Sequence, residues 1–215
     1  MQRSMRRFLL QSFLYSLIFL LLVSCKTYKL TDVTSIPASE KTVRNLYFSS
    51  NEDYVYKCQM DIYKNHVSGI LIIKKLNETT HRVAMTSDFG NKLIDFEISE
   101  NNFKVNYVFP DLDKKIVINF LKNDFQRLLK REYPVTKSFE NGNSKIYFSK
   151  IDKKAYYLFF NKENGLLHQI IYTKNNKEKI DFTFDAKKHI FADSLNLQHK
   201  DFNINIKLFQ ITETE

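Results

Sequence analysis

Residues 54–62, YVYKCQMDI, decide the fold of this 215-residue chain. Every second position holds a large apolar residue or a cysteine: Tyr54, Tyr56, Cys58, Met60 and Ile62. The positions between them are mostly polar. A period of two is what a β-strand needs when one face is buried and the other meets water. The stretch therefore predicts a half-buried strand.

The same alternation recurs along most of the chain. It appears at 94–98, 103–109, 146–148, 156–160, 170–172, 180–184 and 202–208, and less cleanly at 67–76 and 81–87. Connections such as Asn141-Gly142-Asn143 are typical of hairpins, because Asn and Gly accept positive φ. The sequence predicts one antiparallel sheet of about ten strands.

One segment breaks this period. Residues 111–131, DLDKKIVINFLKNDFQRLLKR, place apolar residues at helical spacing, begin with Asp111 and Asp113, and end with basic residues before Pro134. This pattern predicts an amphipathic helix in the middle of the sheet. The fold class is therefore α+β, and one helix of this length can cover only part of the apolar sheet face.

The N-terminus carries an export pattern. Three arginines precede the apolar stretch 8–24, FLLQSFLYSLIFLLLVS, which is marginal for a bilayer span of about 20 apolar residues. The arginines and the small Ser24 favour a secretory signal over a membrane helix. The tetrad Leu22-Val23-Ser24-Cys25 resembles the lipobox of bacterial lipoproteins. It implies cleavage before Cys25 and a diacylglycerol and an N-acyl chain on that cysteine. The alternatives are an uncleaved anchor or a chance cysteine.

This pattern divides the chain. Residues 1–24 are predicted to be a signal peptide, 25–50 a lipidated tether with a short helix capped by Ser39, and 51–215 the folded domain. Two or more acyl chains hold a protein stably on a membrane, whereas one binds reversibly. Lys26, by the lipoprotein sorting rule, indicates the outer rather than the inner membrane.

Composition argues against the familiar kinds of enzyme. The net charge of +9 could indicate an anionic lipid or a nucleic acid as partner, but it is interpreted as lysine spread over solvated strand faces, with no nucleic-acid partner. None of the four glycines has the spacing of a nucleotide loop, there is no G-x-S-x-G elbow, and the histidines lack metal-ligand spacing. Cys58 is interpreted as a core residue. We expect no enzymatic activity, no cofactor and no metal.

Aromatic residues are in surplus, with 19 Phe and 12 Tyr. Two interpretations stay open. These side chains pack into an ordinary core, or the sheet curls into an open half-barrel whose inner face leaves a pocket for a lipid chain. The predicted cavity-lining residues are Tyr56, Cys58, Met60, Met85, Ile94, Phe96, Val105, Tyr107, Phe120, Phe148, Leu158, Ile170, Phe182 and Phe184.

A family resemblance favours the second interpretation. Residues 82–98, RVAMTSDFGNKLIDFEI, resemble a strand, turn and strand of the LolA/LolB lipoprotein carriers and receptors, and 195–209 are similar to the final hairpin of the LolB type. The resemblance implies a half-barrel with helices over its mouth and a cavity for acyl chains. It implies an outer-membrane protein on the periplasmic face whose partners are the membrane, lipoprotein or other acyl-chain cargo, and a periplasmic carrier. The rival is a structural or interaction lipoprotein with a fully packed sheet.

The same resemblance assigns a membrane-insertion loop to Asp88, Phe89 and Gly90, with Phe89 at its tip. An exposed Phe is costly in water and favourable at a bilayer interface. The alternative is that Phe89 folds back under the sheet. Two features depart from the family pattern: the turn has no proline, and an acid lies beside the tip.

Overall fold

The structure is a computed structural model that describes residues 27–211. The predicted signal peptide and Cys25 lie outside the described residues and stay predictions. Within residues 27–211, no helix is long and apolar enough to cross a membrane.

The described residues form fifteen β-strands and one α-helix. The elements are β1 Thr34–Ile36, β2 Thr42–Arg44, β3 Tyr54–Ile62, β4 Asn65–Lys75, β5 Thr80–Ser87, β6 Lys92–Ser99, β7 Phe103–Val108, α1 Lys115–Leu128, β8 Glu132–Pro134, β9 Lys137–Glu140, β10 Ser144–Ile151, β11 Lys154–Asn161, β12 Leu167–Lys174, β13 Lys177–Asp185, β14 Ser194–His199 and β15 Ile204–Gln210.

Thirteen strands form one antiparallel sheet, in the order β1-β9-β10-β11-β12-β13-β14-β15-β3-β4-β5-β6-β7, and β2 pairs separately with β8. The α+β class and the antiparallel sheet are confirmed. The sheet does not close, and the expectation of about ten strands was too low. Strands β1 and β9 are too short to show a period, and β14 lay inside a stretch interpreted only by its resemblance to a hairpin.

The hairpins divide the sheet into two ends. One end carries the turns at residues 63–64, 88–91, 152–153, 175–176 and 200–203. The described chain starts beside it, because the Tyr28 N–H donates to the Asn176 carbonyl at 2.8 Å. We call this the entry end. The opposite end carries the turns at 76–79, 100–102, 141–143 and 162–166, and we call it the far end.

Helix α1 covers one face of the sheet, which we call the inner face. It packs on the sheet through Val117, Leu121, Phe125 and Leu128. The helix begins at Lys115 rather than at the predicted Asp111. Pro110–Leu112 instead form a 3-10 turn, closed by N–H groups that donate to the Phe109 carbonyl.

The opposite, outer face has a small core of its own. Ile146, Phe159 and Ile171 are buried there beneath the segment 28–33, and the Tyr28 and Tyr157 ring centroids lie 4.9 Å apart. Residues 27–36 therefore pack along the sheet, although the sequence suggested a tether.

The predicted short helix after Ser39 is wrong. Residues Thr42–Arg44 are a strand, and Val43 lies opposite Tyr133 of β8. The β-branched pair Thr42-Val43 favours this extended pairing over a helix. Tyr47 and Phe48 then turn into the inner core.

Candidate lipid site

Most of the predicted cavity-lining residues lie on the inner face, in the main core. They are Tyr56, Cys58, Met60, Met85, Ile94, Phe96, Leu158, Ile170, Phe182 and Phe184. Several of them, including Tyr56 and Phe96, have 0% of their surface accessible. A side chain without accessible surface borders no void that admits water. These residues are therefore packed together in this conformation rather than spaced around a hollow.

Three predicted residues lie elsewhere. Val105 is 44% exposed on the edge strand β7. Tyr107 lies opposite Asp95 across a bulge between β6 and β7, which turns its ring to the outer face. Phe148 lies opposite Tyr157 of the outer core. Tyr107 and Phe148 therefore do not share the inner face with the other predicted residues, whereas Val105, opposite Phe96, lies on that face but is uncovered. The period of two is shifted by the bulge in β7, and both faces of β10 carry large side chains.

Phe120 of α1 belongs to an aromatic cluster at the entry end. Its ring centroid lies 5.1 Å from that of Phe202 and 6.3 Å from that of Tyr63. We call Tyr63, Phe120 and Phe202 the aromatic gate, because they close the entry end between α1 and two hairpins. A shallow, mainly apolar hollow of about 400 Å³ runs along α1 beside it and is lined by Ile116 and Phe120.

Polar contacts also join α1 to the inner face. The His199 Nε2 of β14 lies 2.8 Å from the Asp124 Oδ2 of α1, and both side chains are buried. The other oxygen, Oδ1, has no hydrogen-bond donor among the described residues and lies 3.5 Å from the Arg127 guanidinium. At the C-terminal end of the helix, the Asn45 amide donates to the Leu128 carbonyl at 3.0 Å. The sequence did not predict the Asp124–His199 contact.

At the far end, the space between α1 and the sheet is partly open. A cleft of about 270 Å³ lies between the end of α1 and the β4–β5 and β6–β7 turns. Phe48, Ile98 and Leu129 contribute apolar walls, and charged residues such as Lys75 line the rim.

Phe89 lies at the tip of the β5–β6 turn and is 93% exposed, so the alternative that it folds under the sheet is wrong. Gly90 has φ +82°, a conformation that glycine adopts without strain, and its N–H donates to the Ser87 carbonyl at 2.9 Å. The turn is thus a closed, well-defined projection.

The acid beside the tip points away from it. The Asp88 carboxylate accepts from the Lys57 ammonium and the Ser68 hydroxyl on neighbouring strands. The Lys57 contact is the main cause of the lowered pKa of Asp88. Its negative charge is therefore paired on the outer face.

Cys58 fits the interpretation as a core residue. It is buried, and burial raises the pKa of its thiol to about 12, so it is protonated at neutral pH. Among the described residues, no cluster of three His, Cys, Asp or Glu side chains is placed to bind a metal ion.

Comparison with known proteins finds only distant structural similarities. No family model matches the sequence, and no curated protein matches it. A LolA superfamily protein from Nitrosomonas europaea superposes with a TM-score of 0.49 at 5% identity, covering 78% of this chain and 87% of its own. A DUF1329 family protein from Desulfovibrio piger gives 0.44 at 7% identity, covering 77% of this chain and 86% of its own. A putative outer membrane lipoprotein-sorting protein domain from Vibrio parahaemolyticus gives 0.39 at 7%, covering 76% and 85%. The LolB type stays a prediction.

Proposed function

We propose that this chain is an envelope lipoprotein, held on the membrane by acyl chains on Cys25, that binds the acyl chain of a lipid or lipoprotein between α1 and the inner face. The observation that supports this most is the buried Asp124–His199 contact beneath α1. If α1 never left the inner face, apolar packing alone would hold this covering helix more strongly. Burying two charged or polar groups costs about as much free energy as their attraction returns.

The acyl chain has to displace the cover, because the inner face is packed. When α1 lifts, it exposes the apolar side chains that it now buries, among them Leu121 and Phe125. A hydrocarbon chain that takes their place regains about 0.8 kcal/mol for each CH₂ it buries. The exchange therefore needs no nucleotide and no metal.

The route of entry is the aromatic gate. The hollow beside Ile116 borders this gate through Phe120, which belongs to both, and the Asp124–His199 contact lies directly behind Phe120, since the Phe120 and His199 ring centroids are 5.5 Å apart. Separating Phe120 from Phe202 would open the inner face at the entry end. Phe89, at the same end of the sheet, would rest in the membrane interface. We assign the chain to the periplasmic face of the outer membrane, with delivery of lipoproteins as its task.

The test uses residues 26–215, which contain every described strand, the helix and both cores. The wild type should take up a fluorescent fatty acid and release it when palmitate is added. The double variant Asp124→Leu/His199→Leu should fold but take up less, because α1 is then held by apolar packing. The matched control is Arg44→Leu/Glu132→Leu, which removes an exposed 2.9 Å pair between β2 and β8. Wild-type protein that takes up no fatty acid would overturn the proposal.

The full burial of rings such as Tyr56 and Phe96 favours a second candidate. A packed sheet can serve as an interaction module of the envelope with no cargo. Capture of one stoichiometric protein partner, together with no fatty-acid uptake, would establish that candidate instead.

A further inference from the structure

Two neighbouring hairpins at the entry end carry a dense positive charge. The turns β10–β11 and β12–β13 hold five exposed lysines, which we call the lysine corner: Lys150, Lys153, Lys154, Lys174 and Lys177. None of them forms an ion pair with a carboxylate of residues 27–211. Asp152 is the one acid in these two turns, and the adjacent Glu178 is engaged by Lys200 at 3.2 Å.

This arrangement opposes folding. Lys154 lies directly opposite Lys174 in the ladder, and Lys174 lies opposite Lys177. Like charges placed directly across a strand pair are destabilising. A chain that keeps three of them in adjacent register positions retains a local repulsion that an external anion would relieve.

The membrane anchor is constrained to the same place. The Tyr28 N–H donates a hydrogen bond to the carbonyl of Asn176, which lies in the turn between Lys174 and Lys177. The Tyr28 ring packs on Tyr157. Cys25 precedes Tyr28 by three residues, which span at most about 11 Å when fully extended. Cys25 therefore lies within about 11 Å of Tyr28, which is itself held against the turn between Lys174 and Lys177, so acyl chains on Cys25 would enter the bilayer beside the lysine corner.

We propose that the lysine corner is a docking surface for anionic phospholipid headgroups, which orients the domain with its entry end on the bilayer. The inference rests on the proposed anchoring at Cys25 and goes beyond it. A membrane fits better than another polyanion because Ile151, 38% exposed, lies among the lysines, and Phe89 is exposed at the same end. Apolar tips beside lysines suit the boundary between headgroups and acyl chains.

The experiment measures flotation of unlipidated residues 26–215 with vesicles. Phosphatidylcholine vesicles are compared with vesicles that also contain phosphatidylglycerol. The test variant is Lys153→Glu/Lys177→Glu. The matched control is Lys187→Glu/Lys188→Glu, which makes the same change in net charge at two exposed lysines of the far end. Lys153→Gln/Lys177→Gln is a second test variant in case the glutamates disturb the hairpins.

Wild type and control should bind the anionic vesicles and dissociate as salt is raised. Each lysine near an anionic surface strengthens binding about fivefold, so the corner variant should bind at least about 25-fold more weakly. Equal losses in the corner and control variants, or no preference of the wild type for phosphatidylglycerol, would overturn the inference. Mass spectrometry of the full chain from cells checks the acylation of Cys25 separately, so the two proposals fail independently.

Discussion

Both ends of the sheet consist of antiparallel hairpins, but the side chains in their turns differ. Turns of the far end are closed by asparagine side chains: the Asn77 oxygen accepts from Thr79 and Thr80, and the Asn141 oxygen accepts from Asn143 and Ser144. Turns of the entry end expose Tyr63, Phe89 and Phe202 and the lysine corner. Leu76 and Ile190 are exposed at the far end as well. What distinguishes the entry end is therefore its aromatic tips and opposed lysines, which contribute little to folding.

The largest effect on stability is expected at Gly69. A Cβ on this residue would lie 1.8 Å from the Thr86 carbonyl oxygen, at the bulge that leads into the Phe89 turn. Because both atoms belong to paired strands, neither can move freely. We expect Gly69→Ala to lower the free energy of unfolding by about 3 kcal/mol or more, measured by urea denaturation. Gly142→Ala at the far end, where nothing lies within 4 Å, should change it by less than about 0.5 kcal/mol. Equal unfolding midpoints would contradict the geometry.

A smaller loss of stability is expected as the pH falls, and it should arise from two histidines of the far end. Burial lowers the pKa of His81, whose Nε2 lies 2.9 Å from the Phe48 carbonyl, and the pKa of His168 beside Ser144. Below about pH 6.5 the unfolded chain binds these protons before the folded chain does, so stability falls as the pH falls.

Urea midpoints between about pH 7 and pH 5 measure this slope. His81→Gln/His168→Gln should flatten it. A slope that survives the first variant would contradict the assignment.

The smallest effect on stability is expected at Phe89. Because its ring is 93% exposed, Phe89→Asp should change the free energy of unfolding by less than about 0.5 kcal/mol. It should nevertheless weaken vesicle binding. Ile190→Asp, at an exposed apolar residue of the far end, is the control and should bind as the wild type does. A large loss of thermal stability in Phe89→Asp would show that the ring has a structural role.

Sequence periodicity predicted the faces of most strands correctly and failed where both faces are apolar. In β3 the residues between the buried positions are mostly polar, so the alternation identifies the buried face. In β10, Ile146 and Phe148 compete with Tyr147, and the sequence does not reveal that residues 28–33 cover the outer face. The apolar residues Tyr28, Leu30 and Val33 in the supposed tether were a signal of this cover.

The candidate site was predictable only in part. The exposed tip at Phe89 follows from a local turn, which short-range pattern describes well. The Asp124–His199 contact joins residues 75 positions apart, and the opposition of Lys154 to Lys174 depends on strand register. Neither leaves a local pattern, because both depend on how separate segments are placed when the sheet assembles.

Hydrogen exchange of α1 tests the central claim most directly. Amides of residues 115–128 are compared in the protein with and without oleate, with β11 and β12 as the internal reference. If an acyl chain displaces the cover, exchange of the α1 amides should accelerate on adding oleate while the reference strands stay protected. Exchange of α1 that is unchanged or slowed at saturating oleate would contradict the account.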